Sequence, residues 1–388
     1  MTVQNIATWA QRKGLDLLGT GDCLQADWLE EIESSMVEAE PGWLTLRPEI
    51  AETSGKMLPP RLRRPLRFVL STEVCCAPPG TPELGGLHHL IYFPTLESAR
   101  RFRARLEPCG DLREGRPMLA LDSRQLLAAV IAHGDGCRLA PAHVFNPWYS
   151  SLGSVSGGRT LQDVFGGLTP KLLAAEMGLT STPAMCRRVS SLDPHALFCC
   201  SDAHSLENLG RECTLVDIEP GYDALFAALS AGAKDRIGGL IKFPVERTRY
   251  YRNRCGSCQV SFDGRKCPRC GRPLATGARD RLELIADRAE PRLRADAPVC
   301  LQLLPLAYVI AELMGVERTS KGVRQHYDRL LEALGHERHI LTEATLEEIA
   351  AAGTPQLARA IVVQRTSPIT ERPQDEPPGA EDQLGLGF

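Results

Sequence analysis

The sequence lacks a long hydrophobic run, a leader-like start and a strong excess of either charge. No apolar stretch approaches the roughly 20 residues that span a bilayer, and residues 1–5 show no basic segment followed by an apolar one. We therefore expect a cytoplasmic protein without a membrane partner. Its 45 Lys and Arg nearly balance 48 Asp and Glu, for a net charge of −3. Any nucleic-acid surface must therefore be local.

A disulfide framework is not expected either, although the chain has 14 cysteines. Cytoplasmic thiols stay reduced and serve as metal ligands or as small buried hydrophobes. Four of them, Cys255, Cys258, Cys267 and Cys270, form a C-x2-C…C-x2-C set with eight residues between the two pairs. Four thiolates at this spacing can close a tetrahedral zinc site, which supplies folding energy to a short segment. We predict one structural zinc at this module.

Candidate metal ligands recur where predicted strands begin or end. An apolar run at 197–200 predicts a buried strand, and Asp202-x-His204 follows it with a carboxylate and an imidazole. The other members of this set are Asp22, Glu73, His88 or His89, and His143. Glu176 ends one further apolar run, but it could equally cap a helix. Successive strand residues point to opposite faces, so at least one of the two adjacent histidines is structural. The mixed set predicts a multinuclear site for divalent ions.

Strand and helix patterns alternate through the first part of the 388-residue chain, of which 43% is hydrophobic. Helices are predicted at 3–14, 96–106 and 123–133, between strands that include 66–73 and 88–94. This alternation predicts parallel βαβ units, and hence an α/β barrel or open sheet with polar residues gathered at one rim.

Several short motifs are similar to the endonuclease Q family, within the PHP superfamily of metal-dependent phosphoesterases. They are Gly19-Thr20-Gly21-Asp22, Gly115-Arg116-Pro117, Pro141-Ala142-His143, Asn146-Pro147-Trp148, Ser190-Ser191-Leu192-Asp193, Ser201-Asp202-Ala203-His204-Ser205 and Leu209-Gly210-Arg211-Glu212. That family nicks DNA on the 5′ side of deaminated bases such as hypoxanthine and uracil, and of abasic sites. The resemblance implies a PHP-type distorted (βα)7 barrel over residues 1–244.

The resemblance also implies roles for the strand-end residues. The metal ligands of the barrel would be Asp22, Glu73, His88, His143, Asp202 and His204. Four of them, Glu73, His143, Asp202 and His204, would form the catalytic set. The implied metals are Zn, Mg or Mn, which lower the pKa of bound water and neutralise charge on phosphoryl oxygens. Arg187, Arg188 and Arg211 lie in nearby loops and can clamp phosphate.

Two features depart from the family pattern. PHP proteins open with a strand that carries His-x-His, and this sequence has no such motif. Either the start is an internal Met of a longer gene, which we favour, or part of the metal site has been lost. In addition, Gln25 stands where the family has a histidine. A catalytically impaired DNA-binding repair factor is therefore one alternative, and a PHP phosphatase acting on small phosphomonoesters is another.

Basic and aromatic residues are concentrated around the four-cysteine module. The DNA-binding candidates are Arg247, Arg249, Tyr250, Tyr251, Arg252 and Arg254. Basic groups can follow a phosphate backbone while aromatic rings stack on bases. We assign residues 245–285 to the zinc-binding module and 286–364 to a small helical domain, because apolar spacing near 3.6 recurs there. The resemblance implies that this helical domain binds DNA.

Residues 365–388 form an acidic, proline-rich tail, which we expect to be disordered. The tail ends in Gln383-Leu384-Gly385-Leu386-Gly387-Phe388. This peptide resembles the motif with which bacterial repair and replication proteins bind the sliding clamp, where Leu384, Leu386 and Phe388 would fill an apolar pocket and Gln383 would bond at its edge. The sequence thus predicts a DNA repair endonuclease whose partners are damaged double-stranded DNA and the clamp.

Overall fold

The computed structural model describes residues 2–79, 86–232 and 235–366. Its strands are β1 (Leu17–Gly19), β2 (Met36–Glu40), β3 (Trp43–Leu46), β4 (Arg67–Cys76), β5 (Leu87–Phe93), β6 (Met118–Leu119), β7 (Arg138–Pro141), β8 (Ala175–Glu176), β9 (Leu197–Phe198), β10 (Cys213–Val216), β11 (Ile237–Lys242) and β12 (Val299–Gln302). Its helices are α1 (Val3–Lys13), α2 (Ala26–Ser35), α3 (Pro48–Lys56), α4 (Leu96–Leu106), α5 (Ser123–His133), α6 (Leu161–Phe165), α7 (Pro183–Cys186), α8 (Tyr222–Ala231), α9 (Ala278–Ile285), α10 (Leu306–Met314), α11 (Lys321–Leu334), α12 (Glu337–Thr342), α13 (Leu346–Ala352) and α14 (Pro355–Thr366).

Strand β4 is the centre of a seven-stranded sheet in the order β2-β3-β4-β5-β7. Both β1 and β6 lie parallel to β4, one beside its first residues and the other beside its last. Every residue of β4 except Arg67 and Glu73 is buried. The sheet curls into a half-barrel, which leaves Glu73 as the only carboxylate that this central strand carries into the interior.

The prediction of parallel βαβ units is wrong for most of this sheet. The pairs β2–β3, β3–β4, β4–β5 and β5–β7 are antiparallel. Two of the connections are too short for a crossover, which takes a dozen or more residues: Pro41 and Gly42 join β2 to β3, and residues 77–86 join β4 to β5. The α/β class is confirmed, whereas the sheet is mixed and open.

The predicted helix boundaries are confirmed where the sequence carries capping residues. Helix α5 begins after Asp122, which forms a capping box with Gln125. Helix α4 begins after Thr95, whose hydroxyl accepts the Ser98 N–H. Helix α1 ends at Gly14, which has φ 82° and accommodates the left-handed turn. Within the described ranges, no helix is both long and apolar enough to cross a bilayer.

The apolar interior is divided into two clusters. The first lies between the curled sheet and the helices of the amino-terminal part. The second joins α10–α14 to β11 and to Phe243, and these helices begin within residues 286–364, where the sequence predicts a helical domain. The four-cysteine module lies between β11 and β12, which pair in parallel. The predicted clamp-binding residues Gln383, Leu384, Leu386 and Phe388 lie outside the described residues.

A buried ion pair connects α1 to the carboxy-terminal helices. Lys13 Nζ lies 2.6 Å from Glu337 Oε2, and the two side chains are 4% and 5% exposed. Tyr327 donates its hydroxyl to the same carboxylate at 2.6 Å, and the Leu306 N–H donates to its other oxygen at 2.9 Å. Because a carboxylate out of water is costly unless it is paired and hydrogen-bonded, Glu337 depends on partners from both parts of the chain.

Replacing Lys13 by Ala should lower the free energy of unfolding by about 3 kcal/mol, because Glu337 would keep its hydrogen bonds but lose its cation. The measurement is urea unfolding followed by circular dichroism. Lys56→Ala is the control, since Lys56 and Glu52 form an ion pair in which both side chains are 70% exposed. That change should cost less than about 0.5 kcal/mol. Equal effects in the two variants would contradict the inferred role of the buried pair.

Candidate functional site

Glu73, His88 and His143 place one carboxylate and two imidazoles around a common point. Glu73 Oε1 lies 2.6 Å from His88 Nδ1 and 3.5 Å from His143 Nε2. The two imidazole nitrogens are 3.2 Å apart. One potential ligand atom from each residue lies within 4.8 Å of the others. We call these three residues the barrel cluster.

The register of β4 and β5 determines which histidine joins this cluster. His88 lies opposite Cys75, and His89 lies opposite Val74. Since alternate strand residues share a face, Cys75 and its partner His88 lie on the face of Glu73. His89 points the other way, where its Nε2 lies 2.7 Å from Ser123 Oγ. The structure thus resolves the alternative that the sequence left open.

His143 reaches the cluster through a left-handed turn after β7. Its φ is 30°, and its backbone N–H donates to the buried Glu176 carboxylate. A Cβ at Gly178 would lie 2.4 Å from the His143 Cβ, so only glycine allows this close packing. Ser150 donates its hydroxyl to the His143 carbonyl at 2.6 Å and lies 2.9 Å from Nδ1. The serine oxygen therefore accepts the Nδ1–H, which leaves Nε2 as the ligand atom.

The charges of the cluster are strongly coupled. Burial opposes ionisation of Glu73, but hydrogen bonds to His143 and His88 hold its pKa well below the usual range. Burial also opposes the charged form of His143, yet the hydrogen bond to Glu73 and the charges of Glu73 and Asp202 raise its pKa to about 9. Burial lowers the pKa of His88. The low pKa of Glu73 and the high pKa of His143 thus both reflect the attraction between these two side chains.

The residues present fit a divalent cation. Imidazole nitrogen and carboxylate oxygen are the ligands that zinc and manganese accept. Three protein ligands with further coordination positions open are typical of catalytic rather than structural sites. Tyr149 stacks on His88 with ring centroids 4.6 Å apart, which restrains that ring.

The other predicted ligands lie around the cluster, outside the group of donors within 4.8 Å. The Asp22 carboxyl is desolvated and faces Glu73, and both effects raise its pKa. Asp202 follows β9, and its charge acts on His143. His204 Nδ1 lies 3.8 Å from Asp202 Oδ1, with its side chain 46% exposed. The structure brings together half of the predicted ligand set and places the rest at its rim.

Gln25, which stands where the family has a histidine, has a local structural role. Its Oε1 accepts the Trp28 N–H at 2.5 Å and thereby caps α2. Glutamine offers an amide oxygen, which is a poorer ligand for zinc than imidazole is. The structure gives no sign that Gln25 substitutes for the histidine.

A cavity of about 660 Å³ opens beside the cluster. Its lining includes His143, Asp202 and His204, together with side chains of α1 and α11. The basic residues among its lining are Arg12, Lys13, Arg211, Arg249, Arg318 and Arg324, and the aromatic ones are Trp9, Tyr250, Tyr308 and Tyr327. A volume of this size lies within the range of ligand pockets. Cations and aromatic rings in one cavity are suited to phosphates and bases.

The predicted DNA-binding residues differ in their availability. Arg249 and Tyr250 line the cavity, and Tyr250 packs against Trp148 with ring centroids 5.2 Å apart. Arg254 is 2% exposed and bonds to Gln259 and Ser261 within the module. The prediction that Arg254 contacts DNA is therefore wrong, because so small a module needs the side chain for its own interior.

The remaining basic candidates have partners of their own. Arg247 pairs with Glu312, and Arg252 lies 2.7 Å from Asp263. Tyr251 accepts the Arg279 N–H through its carbonyl oxygen. The two arginine ion pairs are partly exposed, and such pairs contribute little to stability and can exchange for phosphate.

Among the phosphate clamps suggested by the sequence, two are structural. Arg187 is buried and donates to the carbonyl oxygens of Leu192 and His195. Arg188 pairs with Glu283 through both of its terminal nitrogens.

The four cysteines of the module converge as their spacing predicts. Their sulfur atoms lie within 4.8 Å of one another. The Cys258 N–H donates to Cys255 Sγ at 3.4 Å, and this bond lowers the pKa of Cys255 to about 6. Hydrogen bonds from backbone to thiolate are typical of cysteine pairs that hold a metal. These four thiols fit a tetrahedral zinc.

Sequence reasoning missed a buried pair behind the cluster. Lys242 donates to the carbonyl of Gly178 and lies 2.6 Å from Glu212 Oε2, with both charged side chains 0% exposed. Burial raises the pKa of Glu212 to about 7, against the opposing effect of Lys242. The pair thus holds the Gly178 turn against His143. A lysine at the end of the otherwise uncharged β11 was the available signal.

Two sequence comparisons give relatives of this chain. A family model described as the MJ0043 C-terminal domain matches residues 305–367. The uncharacterized protein YqxK of Bacillus subtilis is 27% identical over 377 residues, which cover 92% of this chain and 86% of the relative. The uncharacterized protein MJ0043 of Methanocaldococcus jannaschii is 24% identical over 239 residues, which cover 58% of this chain and 29% of that protein.

Two solved structures share the fold over nearly the whole chain. One is the lesion-specific endonuclease PfuEndoQ from Pyrococcus furiosus, with a TM-score of 0.79, 27% identity, and coverage of 94% of this chain and 86% of that chain. The other is endonuclease Q in complex with a 27-mer duplex substrate with an abasic lesion at the active site. Its TM-score is 0.80 at 27% identity, with 94% and 87% of the two chains covered.

His88→Gln should weaken binding of Mn²⁺ or Zn²⁺ to the barrel cluster by more than about 100-fold, because it removes a ligand and not merely a supporting contact. His89→Gln is the matched control one residue away, and it should leave the stoichiometry unchanged. Metal content after dialysis and a calorimetric titration measure both. A loss of metal in the His89 variant alone would contradict the register.

A substitution in the four-cysteine module tests whether its metal site is independent of the barrel cluster. Cys270→Ser should release zinc from the four-cysteine site and leave binding at the barrel cluster intact, since the two sites share no residue. Loss of both metals on either substitution would mean that the sites are not independent.

Proposed function

From the premise that this chain belongs to the endonuclease Q family, we propose that it is a metal-dependent DNA repair endonuclease. It hydrolyses the phosphodiester on the 5′ side of deaminated bases, such as hypoxanthine and uracil, or of abasic sites. The observation that carries this proposal is the barrel cluster, whose His143 also lines a cavity with basic and aromatic side chains.

The side chains in and around the barrel cluster have different roles in the proposed reaction. Glu73, His88 and His143 would hold a divalent ion, which would polarise the phosphodiester and activate water when bound. Ser150 fixes the ring of His143 by accepting its Nδ1–H. Asp202 lies at the cavity end of the cluster, where its carboxylate can accept the proton of the attacking water.

The leaving oxygen needs a proton in turn. His204 is the exposed imidazole at this end of the cavity, and its Nδ1 lies 3.2 Å from the Asp202 carbonyl. A protonated imidazole there can donate from Nε2 to the leaving oxygen. The buried walls behind His143 exclude bulk water from the rear of the cluster.

The cavity would receive the nucleotide that is extruded from the duplex. Extrusion costs less at a mispaired or missing base, which contributes to selection of the lesion. Deamination changes N1 of adenine and N3 of cytosine from hydrogen-bond acceptors to N–H donors, so an acceptor in the cavity would separate damaged from normal bases. Thr180, Ser205, Asn208 and Thr248 are uncharged polar residues of its lining.

The parts of the chain outside the catalytic site would bind the DNA substrate and the sliding clamp. In this proposal residues 1–244 form the catalytic part, 245–285 bind zinc and 286–364 contact DNA. Arg249 and Tyr250 would reach the strand beside the cavity. The tail, 365–388, would bind the sliding clamp in the cytoplasm through Gln383, Leu384, Leu386 and Phe388.

A DNA-binding repair factor without catalysis is the second candidate. The observation that favours it is Gln25, which caps α2 at a position where the resemblance implies a histidine beside the metals. The two candidates differ in whether the phosphodiester is cut.

Asp202→Asn should reduce incision of a labelled duplex that contains one uracil, hypoxanthine or abasic site by about 100-fold, because a group at the reacting centre would be lost. The cut should lie on the 5′ side of the lesion and require Mg²⁺ or Mn²⁺. Asp223→Asn on the exposed side of α8 is the control and should cut at the normal rate.

The outcomes separate the candidates. Binding of the damaged duplex without incision by the unmodified chain would select the binding-only factor. Hydrolysis of small phosphomonoesters without incision would select a phosphatase.

A further inference from the structure

The loop between residues 110 and 119 is tied to the centre of the sheet at both ends. Gly110 and Leu119 form a β-bridge. The Ala120 N–H donates to the Cys109 carbonyl at 2.7 Å. The Cys75 N–H of β4 donates to the Pro117 carbonyl at 2.9 Å. Whatever this loop carries just before Pro117 is therefore held beside the part of β4 that contributes Glu73.

Gly115 lets the loop approach the cluster closely. A Cβ at this position would lie 2.8 Å from Asp22 Oδ2 and 3.0 Å from Asp22 Cγ. A larger residue would push the loop away from that carboxylate. The close approach brings the next residue, Arg116, to the rim of the site.

Arg116 uses little of its hydrogen-bonding capacity within the protein. Its Nη1 lies 3.3 Å from Glu73 Oε1, and the described residues offer its guanidinium no other acceptor. By contrast, Arg211 donates to two carbonyl oxygens, and Arg188 forms a bidentate pair. The Arg116 side chain is 32% exposed, so its remaining N–H groups are open to a ligand.

The carboxylates around the cluster favour a cation at this place. Asp22, Glu73 and Asp202 would repel a DNA phosphate that approached without compensation. The positive charge of Arg116 acts on both Asp22 and His88. The cavity reaches the cluster from the side of His143, whereas Arg116 reaches it from the side of Asp22.

We propose that Arg116 is a phosphate-binding catalytic residue of the incision site. Its guanidinium donates to the nonbridging oxygens of the scissile phosphodiester and balances the charge that grows on them during hydrolysis. This role rests on the proposed function. It also explains the Gly115-Arg116-Pro117 motif: Gly115 allows the loop to approach Asp22, Arg116 contacts the phosphate, and the carbonyl of Pro117 attaches the loop to β4.

The test compares Arg116→Ala and Arg116→Lys with Arg113→Ala. Arg113 lies in the same loop, is 87% exposed and pairs with Asp111, so its loss should leave incision unchanged. With saturating Mn²⁺, Arg116→Ala should cut a duplex with an abasic site about 100-fold more slowly. Arg116→Lys should recover only part of the rate, since it restores the charge without the planar fork. Added guanidinium should accelerate Arg116→Ala alone.

A second readout does not depend on activity. In buffer without added divalent ions, the slope of log K against log salt for binding the same duplex should become shallower by about 0.9 in Arg116→Ala, because one phosphate contact is lost. Arg113→Ala should keep the slope of the unmodified chain. Mn²⁺ binding should be the same in all variants.

Each outcome has one interpretation. Unchanged cutting and salt dependence in Arg116→Ala, with active unmodified protein, would overturn the role of Arg116 and leave the proposed function intact. Loss of Mn²⁺ binding together with cutting would overturn it too, since Arg116 would then only support the metal site. A shallower slope in a chain that cuts nothing would support the phosphate contact and reject the nuclease.

Discussion

The antiparallel register between β4 and β5 is the constraint on which the site depends. It sets Cys75 opposite His88 and therefore places His88 on the face of Glu73. A slip of one residue would exchange the two adjacent histidines and turn the ligand into the interior. Both faces of β4 are buried, so each of its side chains fits a particular place in the core. A slip by one residue would move every side chain of the strand to the opposite face, and this cost fixes the register. The chemistry of the cluster is in this sense a property of the core packing.

The sequence predicted the chemical types in the site better than their arrangement. Alternation along a strand showed that one of His88 and His89 must be structural, but only the pairing with β4 decides which. The start of helix α5 was predictable because Asp122 and Gln125 specify it locally. Strand direction was not, because periodicity carries no information on whether a neighbour runs parallel. Connection length does carry it, and the two residues between β2 and β3 were the overlooked signal.

Composition misled in another way at the four-cysteine module. Arg249 and Arg254 look alike in an arginine-rich stretch, yet Arg249 lines the cavity and Arg254 is only 2% exposed.

Backbone strain at the site depends on context in a similar way. Asp22, His143 and Asp202 all have positive φ, a conformation that costs about 1–3 kcal/mol per residue and persists where surrounding contacts enforce it. Such strain is typical of preorganised sites and cannot be read from residue type.

The four-cysteine module lies between β11 and β12, so a metal bound there would affect the order in which the structure assembles. These strands pair in parallel, and the Leu303 N–H just after β12 donates to the Lys242 carbonyl at the end of β11. The pairing can form only after the intervening chain has been brought back on itself, and an unstructured loop makes that closure entropically costly and slow. A bound zinc would shorten the effective loop before the strands meet. Zinc supply during synthesis would then govern how fast the carboxy-terminal helices reach their place, even though none of them contributes a ligand.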